Sequence, residues 1–521
     1  MISSKKNTTI IVILFFAAVL CVGLIVFKDY GMSWDEHVSR YNGVMALKYI
    51  LENDRSLFTY QDRFYGPVFE IFLVAVELYS DLTSDIRKVF LMRHAGTFLL
   101  FYLGIIFFYR TCRYRFKDRK IALLGSFFLI LSPRIFAHSF YNSKDMAFLA
   151  VFIIGIYSLI SYLNKKTFYN AVIHGIICAF LIDIRITGLL LPIFTVIFLF
   201  MDLMVIEKEK EGAKRSVATF MVYIIFLISF TVLFWPTLWV DPLKNFIEAF
   251  KFMSRHSWPG KVLYFGEYVR ASNLPWHYIP VWLFITTPLL YSVLFFTGCL
   301  ISLKSFVTHP LGFYRNRRDD LVFFTWFFLP LISVIILRST LYDGWRQMFF
   351  IYPAFLIIAL IGLTSVFKGI GRMSSPGKVK ILNSAVAAAI LLSACNVGYS
   401  VIKSHPYENV YFNFLAGRNG QEIKNNFELD YWGLSYREAL EYVLENDSGK
   451  TVKIFVANPS GISNASILKP GYVKRIVFVE DPGKADYFIS NYRWHREEYP
   501  YENEFFSISV NGMKIMVVYK L

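Results

Sequence analysis

Charge is scarce in this chain. Only 18% of its 521 residues are Asp, Glu, Lys or Arg, against about 25% in an ordinary soluble domain. With 56% apolar residues and a mean hydropathy of +0.46, neither a disordered nor a purely soluble protein fits. Cysteine is scarce as well. Cys21, Cys112, Cys178, Cys299 and Cys395 lie in apolar runs or in basic connections, so no disulfide framework is available, and cysteine–histidine metal spacing is absent. There is no Asp-x-Asp, the usual mark of a metal–diphosphate clamp. No phosphate-binding P-loop or Gly-x-Gly-x-x-Gly opens a helix, and no Gly-x-Ser-x-Gly nucleophile elbow occurs. Nucleotide-driven transport and lipase-type chemistry lose ground on these grounds. No clear internal repeat of the kind many transporters carry is visible either.

What is present is a series of apolar runs, several near the ~20 residues that cross a bilayer core. Spans are expected near 9–27, 88–109, 121–137, 146–163, 168–183, 187–205, 217–236, 279–302, 321–337, 347–367 and 381–401. Asp183 and Arg185 interrupt the pair 168–205. The first run, behind Lys5 and Lys6, continues to Phe27 without a small-residue cleavage site and reads as a retained anchor. Alternate connections (1–8, 110–120, 164–167, 206–216, 303–320 and 368–380) hold 22 Lys or Arg against 6 Asp or Glu, which accounts for the whole formal charge of +16. Basic flanks resist translocation. The charge is therefore a topology signal rather than a sign of a nucleic-acid partner: the N-terminus is expected in the cytoplasm and residues 402–521 outside.

The resulting expectation is an α-helical polytopic membrane protein of about eleven spans over residues 1–401, with a small α/β exterior domain at 402–521. Two exterior loops are long, 28–87 and 237–278, which suits an enzyme working at the membrane surface better than a transporter. In the tail, Ser435–Glu445 suits a helix. Val452–Val456, Val473–Val479, Tyr487–Ile489, Phe505–Val510 and Lys514–Tyr519 suit strands.

Polar residues concentrate on the exterior side. Ser33 followed by Glu36 reads as a capping box, and Val38, Tyr41 and Met45 continue at helical spacing, as in a helix along the membrane surface. Asp35 then sits in a first helical turn, where the dipole favours a carboxylate. It is either a solvated helix-start acid or a base at the lip of the bilayer. Ser132 to Asp145 brings Arg134, His138, Lys144 and Asp145 to a side otherwise poor in cations. Arg93, His94, Asp183 and Arg185 lie inside apolar runs, where an ionisable group costs at least ~2.5–3.5 kcal/mol and so pairs or marks a site. Asp183 and Arg185 are candidates to neutralise each other or to serve a substrate. Arg338 and Arg346 flank a further exterior turn. Such cations suit a phosphate whose carrier lies in the membrane.

Taken in order, these blocks resemble the polyprenyl-phosphate-sugar-dependent membrane glycosyltransferases of the GT-C superfamily, near its protein O-mannosyltransferase-like and aminoarabinose-transferase-like members. Asp35-Glu36 follows the first span as the family's Asp-Glu motif does. Arg93 stands where the mannosyltransferases carry an essential arginine. Pro133 to Asp145 ends in Asn-Ser-Lys-Asp like the family's second exterior loop. Gly266 to Pro288 and Tyr342-Asp-Gly-Trp-Arg346 resemble two further blocks, and His405 to Asn413 with Asp430 to Gly433 resemble the tails of bacterial members.

The resemblance implies an inverting transfer of a sugar from a polyprenyl-phosphate carrier to a glycan, lipid or protein hydroxyl at the periplasmic face of a bacterial inner membrane. Asp35 is then the expected base, with Glu36 and Asp145 as further catalytic candidates. Arg93, Lys144, Arg185, Arg346 and Arg270 are expected on the donor phosphate. Trp34, His138 and Tyr342 are candidates for sugar or acceptor contacts. Asp145 is also the candidate ligand for a divalent cation, a cofactor the resemblance does not require. A transporter or flippase for polyprenyl-linked sugars, and an oligosaccharide ligase or polymerase, are the alternatives.

Overall fold

The computed structural model describes residues 2–206, 210–254 and 258–521. Residues 207–209, within one basic connection, and 255–257, within the long connection 237–278, lie outside the described residues. Among the described residues nine helices are long and apolar enough to cross a membrane, or ten if the bent pair Arg119–Ile130 and Pro133–Tyr141 is one span. Each of the eleven expected apolar segments is helical, 121–137 and 279–302 each as two helices. The one at 168–183 is Phe168–Ile184, apolar but only 17 residues long.

Prolines set two breaks in these helices. Pro133 disfavours helical geometry at the residue before it; Ser132 is extended, and the chain bends by 67° there. The run expected at 279–302 divides into Tyr278–Ile285 and Leu289–Thr308, with Pro288 at the junction. A buried, strongly aromatic core joins the helices. Ser143–Asn164 and Arg346–Ile370 are its most enclosed long members, and Phe148 and Phe152 pack on Phe350 between them.

After the first helix the chain enters Glu36–Glu52. Its buried stripe is not the expected apolar one. Ser39, Asn42, Gly43 and Ala46 are buried with Met45, while Val38 and Tyr41 are exposed. The small and polar face is the one that lets Val68–Tyr79 approach, since a Cβ on Gly43 would lie 2.6 Å from the Glu70 carbonyl oxygen. The long connection 237–278 also contains a hairpin, Lys261–Tyr264 against Glu267–Arg270.

The tail holds a five-stranded sheet in the order Ile476–Phe478, Val452–Val456, Tyr487–Ser490, Met513–Lys520, Glu504–Val510. The first three strands run parallel and the last two pair antiparallel. The strand expected at 473–479 is shorter because Pro470 opens a helical turn through Val473, fitting proline's preference for a first helical position. The helix expected at 435–445 runs Tyr436–Asn446.

The tail grips the segment that leads to Asp35. The Asn464 side chain accepts from the Met32 N–H (2.8 Å) and donates to the Met32 carbonyl (3.0 Å). Arg437 donates to the Lys28 and Tyr30 carbonyls at 2.6 and 2.9 Å. Tyr30 stacks on Phe140 and donates to Glu408.

Candidate active site

Asp35 stands at the N-cap of Glu36–Glu52, yet its side chain makes no capping hydrogen bond. Instead Oδ2 lies 3.4 Å from Nη1 of Arg346, and the side chain is 36% exposed. Glu36 is buried. It accepts from the Ser33 N–H at 2.7 Å and faces His94 Nε2 at 2.9 Å. Only this half of the expected capping box forms, because the Ser33 hydroxyl donates to the Tyr141 carbonyl.

Asn142 caps the helix Ser143–Asn164 by accepting from the Asp145 N–H. Asp145 therefore sits in the first turn, where the helix dipole favours a carboxylate. Its Oδ1 is bound by Arg185. Its Oδ2 accepts from Arg346 at 3.0 Å and from Asn142 at 3.0 Å. Arg185 reaches it because the helix Phe168–Ile184 ends at an extended residue 185. Asp183 does not pair with Arg185; it accepts the Val68 N–H at 2.7 Å. Lys144 lies over the Tyr65 ring at 4.0 Å.

Arg346 begins a short 3-10 turn one residue after Asp343 and Gly344, both with positive φ. That tight turn brings the Asp343 carboxylate back to within 3.3 Å of Arg346. Asp343 also accepts from Arg493, at 2.9 Å, on the loop after the strand Tyr487–Ser490. The Arg346 guanidinium lies over Tyr342 and Trp432, and that of Arg493 over Trp34 and Trp494. Burial, the largest influence, raises the Tyr65 hydroxyl pKa, with Arg185 opposing, and it likewise raises that of Tyr342, with Arg346 opposing. Alternating charge thus runs Arg185–Asp145–Arg346–Asp343–Arg493, with Asp35 attached to Arg346.

Of the expected site residues, the structure joins Asp35, Asp145, Arg185, Arg346 and Tyr342, with Trp34 and Lys144 at the edge. His138 is fully buried behind Asp145, between Asn142 Nδ2 (3.1 Å) and the Tyr431 hydroxyl (3.3 Å). Two expected phosphate ligands stand elsewhere. Arg93 is 2% exposed and paired with Glu70, which also accepts from Ser143 at 2.6 Å. Arg270 is exposed at the end of its hairpin strand, outside the cluster.

Asp145 does not fit a metal ligand, since both its oxygens are engaged by guanidinium groups. No cluster of three or more His, Cys, Asp or Glu suited to a metal occurs among the described residues. Sequence reasoning passed over Glu70, Asp343 and Arg493. Glu70 carried a signal, a carboxylate inside an apolar run, and Asp343 lies within a block that was singled out. Arg493 carried none.

No family model and no curated protein matches the sequence. Among solved structures the chain is similar to the Archaeoglobus fulgidus oligosaccharyltransferase in its apo form, with a TM-score of 0.50 and 11% identity over 90% of this chain and 65% of that one. It is also similar to ArnT from Cupriavidus metallidurans. With undecaprenyl phosphate bound, that structure gives a TM-score of 0.48 and 12% identity over 97% of both chains. The apo form gives 0.49 and 11% over 98% of both. The protein is thus a helical membrane protein with a small C-terminal sheet. The oligosaccharyltransferase likeness is one of fold, and it agrees with the GT-C-like fold the sequence led one to expect.

Proposed function

We propose that this protein is an inverting glycosyltransferase that moves a sugar from a polyprenyl-phosphate carrier to an acceptor hydroxyl at the periplasmic face of a bacterial inner membrane. The observation that carries the proposal is the half-exposed Asp35 carboxylate 3.4 Å from a buried arginine that also binds Asp145. The fold shared with an oligosaccharyltransferase supports the same reading.

In this mechanism the acceptor oxygen attacks the anomeric carbon as its bond to the lipid phosphate breaks. The acceptor proton passes to Asp35, and the electron pair leaves with the phosphate. General-base help of this kind is typically worth 10²–10⁴-fold. Lys144, Arg185 and Arg346 meet the growing phosphate charge. Because Asp145 and Asp343 hold Arg346 from two sides, little reorganisation accompanies the reaction. Lys144 has no carboxylate partner among the described residues, which leaves the cluster with a cation to offer an anion. Residues 402–521 act as an exterior domain that contributes Arg493 and fixes the approach to Asp35.

A transporter places its site near the membrane midplane. Here Asp145 and Arg346 stand at the first turns of their helices, an arrangement that favours surface chemistry. The test is transfer of labelled sugar from a polyprenyl-phosphate donor by the purified protein in vesicles. Asp35→Asn is expected to lose at least about 10²-fold in turnover while remaining folded and inserted. Near-normal turnover would remove Asp35 as the base. Movement of donor across the vesicle without new glycosidic bonds would establish a flippase, and product size on a gel separates single-sugar from chain transfer.

A further inference from the structure

Far from Asp35, the ends of several long helices form a polar cavity of about 950 Å³. Its place follows from helix geometry. Asp145 and Leu163 lie on one helix, and Arg93 and Arg115 on another. At 1.5 Å rise per residue these pairs are about 27 and 33 Å apart, close to the ~30 Å of a bilayer core. The cavity therefore opens at the opposite membrane face.

Nine Lys or Arg side chains but only two carboxylates, Asp202 and Asp319, line it among the described residues. The carboxylates hold cations in fixed positions. Fully buried Asp202 accepts from Lys166 at 2.9 Å, Arg318 at 2.8 Å and the Tyr314 hydroxyl at 2.8 Å. Arg318 also donates to Asn164 at 2.8 Å, and its buried Nε, 3.9 Å from Asp319 Oδ1, has no hydrogen-bond partner among the described residues. Arg115 binds Asp320 just behind. At the rim, Lys165, Arg315 and Lys368 are exposed, and no described carboxylate pairs with them. Basic flanks that merely resist translocation need neither a concave arrangement nor a carboxylate floor. A concave cluster of one sign focuses potential and gathers counter-ions, and fixed guanidinium groups match phosphate oxygens.

We propose that this cavity is a binding site for a phosphate-bearing anion at the face opposite Asp35, either an anionic lipid headgroup or a soluble phosphate compound. The proposal does not rest on the transferase reading.

The test uses the full chain purified in detergent. Native mass spectrometry follows retention of phosphatidylglycerol against phosphatidylcholine, and thermal unfolding follows inorganic pyrophosphate. Both are applied to the natural chain, to K165Q/R315Q/K368Q and to the charge-conserving K165R/R315K/K368R. The glutamine variant is expected to bind at least about tenfold more weakly, given the contribution of each basic side chain near an anionic surface, while the charge-conserving variant binds like the natural chain. Charge-dependent retention of phosphatidylglycerol supports the proposal with a lipid source. A charge-dependent pyrophosphate shift without lipid preference supports it with a soluble source. Binding of neither probe, or equal binding by the natural chain and the glutamine variant, overturns it.

Discussion

Glu36 spends both carboxylate oxygens on Ser33 and His94, whereas Asp35 keeps a half-exposed edge toward Arg346. Substitution at the two positions is expected to separate stability from chemistry. Glu36→Ala leaves buried donors without an acceptor and should cost about 1–3 kcal/mol, read as a lower unfolding midpoint in detergent. Asp35→Asn should leave that midpoint nearly unchanged. Arg93 is a second case. Its guanidinium is enclosed with Glu70, and removing one partner of such a buried pair costs about 3–5 kcal/mol. Arg93→Ala is therefore expected to lower stability, and Arg93→Ala with Glu70→Gln to recover part of the loss. A donor-affinity loss in Arg93→Ala with stability unchanged would instead return Arg93 to the phosphate.

At the scale of elements, the site depends on how the chain from Tyr30 to Ser33 passes between the helix Pro133–Tyr141 and the tail. Gly31 permits that passage: a Cβ there would lie 2.1 Å from the Leu434 carbonyl oxygen. Backbone cannot yield as a flexible side chain can, so Gly31→Ala is expected to cost about 1–3 kcal/mol and to loosen the tail. Faster limited proteolysis between residues 402 and 521, with the membrane helices intact, is the expected readout. A second close approach, at Gly43, explains why Val38 and Tyr41 are exposed. Close approach of Val68–Tyr79 requires small residues, so the face at Gly43 and Ala46 is buried although the apolar repeat points elsewhere.

At the scale of the whole molecule, two titrating groups tie tail to membrane part. Burial pushes the Glu428 carboxyl up to about 8; nearby Arg493 opposes this and Asp343 adds to it. From about pH 4.5 to 8 the folded chain holds a proton that the unfolded chain has released, so stability falls as pH rises through that window. Burial lowers the His405 pKa, but Glu408 at 2.7 Å and Asp29 at 3.2 Å outweigh it and raise it above its ordinary 6.5. The stability His405 contributes is complete below 6.5 and is lost as pH rises through the raised value, the same direction as for Glu428. Unfolding midpoints measured from pH 5 to 9 should therefore fall, and Glu428→Gln should flatten the slope. A midpoint that rises over this range would contradict both assignments.

The apolar runs by themselves determined the membrane helices, and the β-rich pattern of the tail its small sheet. Those properties sum over neighbouring residues, through transfer of apolar surface from water and pairing of backbone groups within one helix. Lys144 and Asp145 could be singled out as charges in a turn between apolar runs, because that contrast is local. Only the tertiary structure decided which acid is free, which arginines converge and which are enclosed. Arg346 meets Asp145 across 201 positions and Arg493 meets Asp343 across 150. A charge in a low-dielectric interior is governed by whatever partner the packing brings near, and Glu70, from a separate helix, is what turned Arg93 from an expected phosphate ligand into half of a buried pair.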